Sequence, residues 1–249
     1  MSMRILIVND DGIYSPGILA LAEVAKEFGD VTVVAPDVER SSTGHAVTHS
    51  RPLNYRRTAI QGLDAYRVDG TPADCVAIGF TVAGKADVVL SGINLGPNLG
   101  NSMWHSGTLA GAKQAALMGS RGIALSAPVP SAEPTFDGLK PHVRAVLAAL
   151  LPASDLTLVN VNFPLEPRGT LWTRQSVRHY DGQVVPAKDP MGRTHYWFTV
   201  FATEETEEGT DRWAMDHGYV SMTPLRLDLT DHEALSAQRE KSQRVIPPR

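Results

Sequence analysis

The sequence predicts an α/β protein built on a mostly parallel sheet, and three observations lead to this fold class. Short, unbroken apolar runs, typical of strands buried on both faces of a sheet, recur along the first two thirds of the chain. Segments with helical periodicity separate these runs, as in right-handed βαβ units. Polar residues cluster directly after several of the runs, at the sheet edge where α/β proteins bind ligands.

The first predicted strand is Ile5–Val8, and the first helix is the apolar stripe from Ile18 to Ala25, which Gly29 ends. Two adjacent carboxylates, Asp10 and Asp11, lie between them. Two unpartnered anions at a ligand-binding edge repel each other, so they need either a cation between them or a shared proton. An Asp-Asp-Gly sequence also forms ordinary turns, so these residues alone leave a metal site and a plain turn as alternatives.

A second strand, residues 31–35, follows the first helix, and the polar, glycine-broken segment 38–46 leaves the same edge of the predicted sheet. Ser41 in this segment is therefore able to face the two aspartates. Considered alone, residues 41–43 are better explained as a capping or loop cluster than as ligands, because Ser and Thr commonly hydrogen-bond to the backbone in turns.

The other elements of the predicted core alternate between strands and helices. They are one or two short strands within 47–68, a helix capped by Thr71 that extends to residue 82, a strand at 86–91, a helix after Thr108, a strand at 122–126, a helix at 142–151 and a strand at 156–162. Together they make residues 1–168 one α/β core.

A glycine- and asparagine-rich loop, residues 92–101, follows the predicted strand at 86–91. Its evenly spaced glycines match neither a dinucleotide-binding fingerprint nor a P-loop. Such a loop still presents backbone N–H groups to anions. Asn94 offers an amide oxygen to a metal or an N–H to a phosphate, and Asn98 lies in the same loop. The alternative is that both residues only build turns.

The next helix begins with a small polar sequence that suits a phosphate group. Free backbone N–H groups, hydroxyl groups and the positive end of the helix dipole meet at such a start. The residues concerned are Ser106, Gly107 and Thr108.

From residue 169 the pattern changes, and residues 169–249 are predicted to form a β-hairpin extension rather than an independent domain. Strands are expected at 171–177, 183–185 and 195–201, then a short helix at 212–217, a strand at 219–225 and a frayed tail from Arg239. The extension is rich in aromatic residues, which favours packing between protomers, with stacking on a nucleobase as the alternative.

Composition excludes several classes of function. The net charge of −4 and the absence of a basic stripe argue against a nucleic-acid duplex as a partner. The single cysteine, Cys75, excludes a disulfide framework and a thiolate metal cluster, and its apolar surroundings favour a buried packing role. No apolar run reaches membrane-spanning length and no signal sequence opens the chain, so a cytoplasmic protein is expected.

Several segments of the chain are each weak signals but are specific in combination. They are Asn9–Gly12 with Ser15–Gly17, Ala35–Asp37 with Arg40 and Ser41, Gly70–Cys75, Ser91–Gly100, Ser106–Thr108, Asn160–Asn162 and Gly218–Leu225. Together they resemble the SurE family of stationary-phase survival proteins, which are metal-dependent 5′/3′-nucleotidases. The resemblance spans nearly the whole chain.

The resemblance implies a Rossmann-like, three-layer core and a C-terminal segment exchanged between the protomers of a homodimer or homotetramer. It implies nucleoside monophosphates as substrates, with some activity on short polyphosphate. It also places the family's metal-binding positions on Asp10, Asp11, Ser41 and Asn94. An all-oxygen set of this kind favours Mg²⁺, Mn²⁺ or Ca²⁺ over Zn²⁺, with one Mg²⁺ or Mn²⁺ per subunit expected for catalysis.

In the expected reaction, water attacks the phosphoryl group while Asn94, Asn98 and the Ser106–Thr108 segment hold the phosphate oxygens. Attack by an aspartate is a less favoured alternative, since a metal-ligating carboxylate is a poorer nucleophile. Two other functions are left open: a passive nucleotide-binding module, and a nicotinamide-dependent oxidoreductase, which the missing glycine fingerprint disfavours. The general acid is not identified by the sequence, although His45 and His105 lie in the relevant loops.

Overall fold

The computed structural model describes residues 2–129, 135–177, 182–200 and 206–245. Its strands are β1 (Met3–Val8), β2 (Gly29–Pro36), β3 (Tyr55–Ile60), β4 (Leu63–Val68), β5 (Val88–Leu95), β6 (Arg121–Ala127), β7 (Leu158–Asn162), β8 (Gly169–Trp172), β9 (Gly182–Lys188), β10 (Thr194–Val200) and β11 (Tyr219–Pro224). Its α-helices are α1 (Pro16–Ala25), α2 (Pro72–Val82), α3 (Gly107–Leu117), α4 (Lys140–Leu150), α5 (Asp211–Asp216) and α6 (His232–Val245). A short 3-10 helix, Gly100–Trp104, precedes α3.

A nine-stranded sheet forms the centre of the molecule, in the order β3-β4-β2-β1-β5-β6-β7-β11-β8. Its inner strands, from β4 to β7, pair in parallel, whereas β3 pairs antiparallel with β4 and β11 pairs antiparallel with β7. Strands β9 and β10 form a separate antiparallel hairpin. The predicted α/β fold with a mostly parallel sheet is confirmed.

Helices cover both faces of the sheet and give it three layers. Ile5 and Ile7 of β1 pack in one buried cluster with residues of α1 and α4. Leu6 and Val8, the alternate residues of the same strand, pack in a second cluster with residues of α2 and α3. Burial on both faces explains why this strand reads as an unbroken apolar run.

Strand β1 lies at the point where the order of the parallel strands reverses. The chain continues from β1 to β2 on one side of it, whereas β5 and the later strands lie on the other side. Open α/β sheets bind ligands in the crevice between the carboxyl ends of two such strands. The loops after β1 and β5 therefore define where a site is expected.

Helix α1 packs very closely against the end of β5. A Cβ atom built on Gly17 would lie 2.0 Å from the carbonyl oxygen of Ile93, so no side chain fits at this position. This contact fixes the loop that carries Asp10 and Asp11 relative to the end of β5.

The segment after residue 168 is divided between the core and a projection. Strands β8 and β11 belong to the large sheet, so the described residues that project from it are the β9–β10 hairpin and the chain after β11. The strand predicted at 171–177 ends at Trp172. The tail predicted to fray from Arg239 was wrong for residues 239–245, which continue α6. The predicted turn at Asp181 and strand end at Phe201 lie outside the described residues.

Cys75 is fully buried in α2, which confirms the predicted packing role. Burial in an apolar environment raises the pKa of its thiol well above the ordinary value.

Asp74, in the first turn of α2, is 1% exposed and connects the helix to the preceding loop. Its carboxylate accepts hydrogen bonds from the backbone N–H and hydroxyl of Thr48, at 3.0 and 2.7 Å, and from the N–H of Thr71 at 2.9 Å. Thr71 caps the helix in return. Burial opposes ionisation, but these hydrogen bonds outweigh it and lower the pKa of Asp74. The position of Asp74 at the positive end of the helix dipole is therefore only part of its role.

We expect Asp74→Ala to lower the free energy of unfolding by about 2–4 kcal/mol, because it removes a helix cap and leaves buried donors without an acceptor. Urea denaturation measures the change. The matched control is Asp64→Ala, whose carboxylate pairs with Arg57 at the exposed surface and whose loss should change the stability by less than about 1 kcal/mol. Equal losses in the two variants would contradict the structural role of Asp74.

Candidate active site

A cavity of about 670 Å³ lies at the carboxyl ends of β1 and β5. Most of the residues predicted for the site line this cavity. They are Asp10, Asp11, Ser41, Asn94, Asn98 and Ser106. The structure therefore brings side chains from three separate loops to one place, as the strand order predicts.

Asp10 is 4% exposed and lies against the N-terminus of α3. Its Oδ1 atom accepts a hydrogen bond of 2.7 Å from the Thr108 hydroxyl, and the backbone N–H of Thr108 also bonds to this carboxylate. A Cβ atom on Gly107 would lie 2.8 Å from Asp10 Oδ2, so the approach requires glycine. The helix start that the sequence assigns to phosphate thus also holds an aspartate.

Asp11 is the second carboxylate of the pair. Its Oδ2 atom accepts a hydrogen bond of 3.3 Å from the backbone N–H of Leu95, at the end of β5. Burial, and then the neighbouring charge of Asp10, raise the pKa of Asp11 to about 7. Burial also raises the pKa of Asp10, although the hydrogen bonds from Thr108 oppose the change.

The two carboxylates have no compensating positive charge among the residues that the structure describes. Within the described parts of the chain, no basic side chain forms an ion pair with either of them. Glu39 adds a third negative charge to the cavity lining. Desolvated anions of like charge favour a bound cation or a proton. This electrostatic imbalance is what a divalent cation would relieve.

Neutral oxygen atoms complete the predicted metal-binding set. Among the described residues, no group of three His, Cys, Asp or Glu side chains could hold a metal ion, so Ser41 and Asn94 would be needed. Asn94 Nδ2 donates a hydrogen bond of 2.6 Å to the carbonyl of Gly96, which leaves the amide oxygen as the atom for a ligand. Ser41 is exposed, and its hydroxyl donates to Glu39 at 2.7 Å.

A β-bulge places Asn94 at the cavity. The register between β5 and β6 shifts between Ser91 and Asn94, so the strand continues to Leu95 instead of ending at Ser91 as the sequence predicts. Gly92 adopts φ +139°, and a Cβ atom there would lie 2.2 Å from the carbonyl oxygen of Leu125. Bulges redirect side chains next to functional sites, which is the effect here.

A buried network of asparagines fixes Asn98. The backbone N–H of Asn98 donates to Asn162 Oδ1 at 2.8 Å, and its carbonyl accepts from the side chains of Asn160 and Asn162 at 2.8 and 3.1 Å. The Asn98 side chain donates to the hydroxyls of Ser126 and Thr108, at 2.9 and 3.3 Å. Through Thr108, the network reaches Asp10.

The sequence alone assigns no role in the site to Asn160 and Asn162. Both are completely buried in β7. The available signal was that two amides alternate with apolar residues in a strand otherwise typical of the core, where an amide needs hydrogen-bond partners. It also missed Glu39, Leu95, Ser102 and Phe198, all of which line the cavity, and His105, which lines it too, was noted only as a loop residue.

Comparison with known proteins shows the family. The family described as survival protein SurE matches residues 5–182. A relative from Thermus thermophilus named 5′-nucleotidase SurE 1 is 46% identical over 98% of this chain and 100% of its own. The 5′-nucleotidase SurE of Deinococcus radiodurans is 42% identical over 98% of this chain and 93% of its own.

A solved structure agrees with these relationships. The crystal structure of the SurE protein from Aquifex aeolicus superposes with a TM-score of 0.82 at 40% sequence identity, and the match covers 96% of this chain and 99% of that one. Sequence and fold therefore agree along nearly the entire length, and the chain belongs to the SurE family.

Proposed function

We propose that this protein is a divalent-metal-dependent phosphomonoesterase that hydrolyses nucleoside 5′- and 3′-monophosphates to nucleoside and phosphate. One observation carries the proposal: two adjacent carboxylates, Asp10 buried and Asp11 partly buried, face a cavity at the sheet's ligand-binding edge and form no ion pair with a basic side chain of the described residues. The names of the relatives, 5′-nucleotidase SurE, support the substrate class. A protein that only binds a phosphate would have no reason to direct two anions at it.

The donor set fits a hard cation. Asp10, Asp11, Ser41 and Asn94 supply only oxygen atoms, the ligands that Mg²⁺ and Mn²⁺ prefer. We propose one such ion per subunit, with the two aspartates as its charged ligands. When bound, the ion would neutralise charge that develops on the phosphoryl group and would acidify the attacking water.

The chain's own groups would position the phosphate. Gly107 and Ser106 lie at the start of α3, where the first backbone N–H groups and the helix dipole favour an anion. Ser106 Oγ caps the helix by accepting the N–H of Leu109 at 3.0 Å. Thr108 and Asn98 hold Asp10 in place, so their contribution to phosphate binding in this proposal is mainly indirect.

Asp11 is the group placed to accept the proton of the attacking water. Its Oδ2 atom accepts the Leu95 N–H, which leaves Oδ1 for the cation and the second lone pair of Oδ2 for the proton. Attack by water remains the proposed route, because a carboxylate that ligates a cation is a weak nucleophile. The proposed contacts are all to the phosphate group, and none of them distinguishes the 5′ position of the ribose from the 3′ position. The proposal therefore includes 3′-monophosphates and short polyphosphate.

A homodimer or homotetramer with an exchanged C-terminal segment is part of the proposal. Tyr196 and Trp197 on the hairpin are 69% and 62% exposed, and the described side chains of α6 are exposed on every side of the helix. Such surfaces favour association with another copy. No described helix has the length and apolar character needed to cross a bilayer. A cytoplasmic location is a further part of the proposal.

Asp11→Asn should lower the hydrolysis of AMP at least about 100-fold, because it removes a charged metal ligand and the proton acceptor. The same change removes repulsion from Asp10, so the metal-free variant should melt at a temperature equal to or higher than that of the wild type. Phosphate release with Mn²⁺ and thermal melting in EDTA measure the two effects. Wild-type activity in the variant under limiting Mn²⁺ would refute the assignment.

The stability that Asp10 and Asp11 contribute to the metal-free protein should fall as the pH rises to about 7 and above. The folded-state pKa values of Asp10 and Asp11 both lie above the ordinary value for an aspartate. The pKa of Asp11 is raised to about 7. Their contribution to stability is therefore complete below about pH 4 and is lost as the pH rises through the folded-state values. Protons compete with the cation, so Mn²⁺ should raise the melting temperature more at about pH 8 than at about pH 6.

Asp11→Asn is the control for the pH experiment, because it removes the group that titrates near neutral pH and a ligand of the cation. The increase in the Mn²⁺ effect between the two pH values should become smaller in this variant, which keeps only Asp10 as a titrating ligand. An equal Mn²⁺ effect at both pH values in the wild type would contradict a site built on these carboxylates.

A further inference from the structure

We propose that Phe198 of β10 and Leu95 of β5 form the surface on which the nucleobase of the substrate stacks. This inference rests on the proposed function, which it deepens. It assigns a role in nucleotide affinity to the β9–β10 hairpin, and it names the part of the cavity that the catalytic groups do not use.

The residues that line the cavity fall into two groups, one polar and one apolar. Most of the described residues that line it carry carboxylate, hydroxyl, amide or imidazole groups, which suit a phosphate, a cation and a sugar. Leu95 and Phe198 are the described lining residues with apolar side chains. A nucleobase presents two apolar π-faces, and aromatic side chains stack on such faces. These two residues therefore match the base and no other part of a nucleotide.

Leu95 lies where the apolar part of the lining meets the polar part. Its backbone N–H donates to Asp11, so its side chain begins next to the catalytic carboxylates and is 36% exposed. The cavity volume of about 670 Å³ falls within the range of sites for whole small molecules, about 300–1,000 Å³, and is larger than a phosphate and a cation require. The remaining volume has room for a nucleoside.

The hairpin presents Phe198 selectively. Successive side chains of a strand point to opposite faces, so Phe198 and Trp197 lie on opposite faces of β10. Both are largely exposed, at 60% and 62%, but only Phe198 of the two lines the cavity. Its partner in the antiparallel register is Val184, which supports the same face of the hairpin. The strand therefore places the ring of Phe198 at the site. Trp197, on the opposite face, provides a control position for mutagenesis.

A stacking surface also determines how strongly the enzyme distinguishes one nucleobase from another. Every base has a π-face, so an aromatic surface contributes affinity without strong discrimination between bases. We therefore expect purine and pyrimidine monophosphates to be accepted alike within about tenfold in kcat/KM, with purines favoured by their larger face.

The test compares a substrate that has a base with one that lacks it. Phe198→Ala should lower the ratio of kcat/KM for AMP to kcat/KM for ribose 5-phosphate by about tenfold, mainly through KM for AMP. Phe198→Trp should keep the wild-type ratio, because it preserves an aromatic face. Trp197→Ala, on the opposite face of the same strand, should also keep it. Size-exclusion chromatography of each variant compares the oligomeric states.

Two results would overturn the inference: an unchanged ratio in Phe198→Ala, or an equal fall of the ratio in Trp197→Ala. The second result would assign the effect to the integrity of the hairpin or of the assembly. Failure of the proposed function looks different, since the wild type would then hydrolyse neither substrate. In that case, calorimetric titration of wild type and Phe198→Ala with AMP and Mn²⁺ decides the base surface alone, and equal affinities would refute it.

Discussion

The repulsion between two adjacent carboxylates, Asp10 buried and Asp11 partly buried, is the interaction around which the rest of this site is built. Asp10 and Asp11 follow β1 after a single residue, Asn9, and burial raises the pKa of both. A fold tolerates such an arrangement if the surrounding structure fixes it and a cation or a proton relieves the repulsion. Thr108 and the backbone N–H of Leu95 fix the two groups from different elements, α3 and β5. In the proposed metal site, a bound cation would offset this repulsion.

The architecture around the pair consists of close backbone approaches. Gly107 lets the start of α3 reach Asp10, and Gly17 lets α1 reach the end of β5. Behind these contacts, the amides of Asn160 and Asn162 hold the backbone of Asn98, which is connected through Thr108 to Asp10. Close packing at glycine residues and buried hydrogen bonds therefore together fix the position of Asp10 and of the loops around it.

The sequence predicted the elements that depend on local pattern. Periodicity and turn residues located the core strands and most of the helices, and the order of the loops correctly brought Asp10, Asp11, Ser41 and Asn94 to one cavity. It could not predict features that depend on distant partners. The bulge after Ser91 is set by contact with Leu125 on β6, and β8 and β11 extend the core sheet through pairing that no local pattern encodes. Phe198 was part of a predicted strand, but its position against the cavity depends on how the hairpin folds back.

The burial of Cys75 has a practical consequence. The chain contains one cysteine, and its thiol is enclosed in α2 with a raised pKa, so little thiolate forms at neutral pH. A maleimide reagent should leave the native protein unmodified, so a second cysteine introduced on the exposed face of the hairpin would be the only labelled position. A fluorophore attached there would report movements of β9 and β10 without any change to the natural sequence elsewhere.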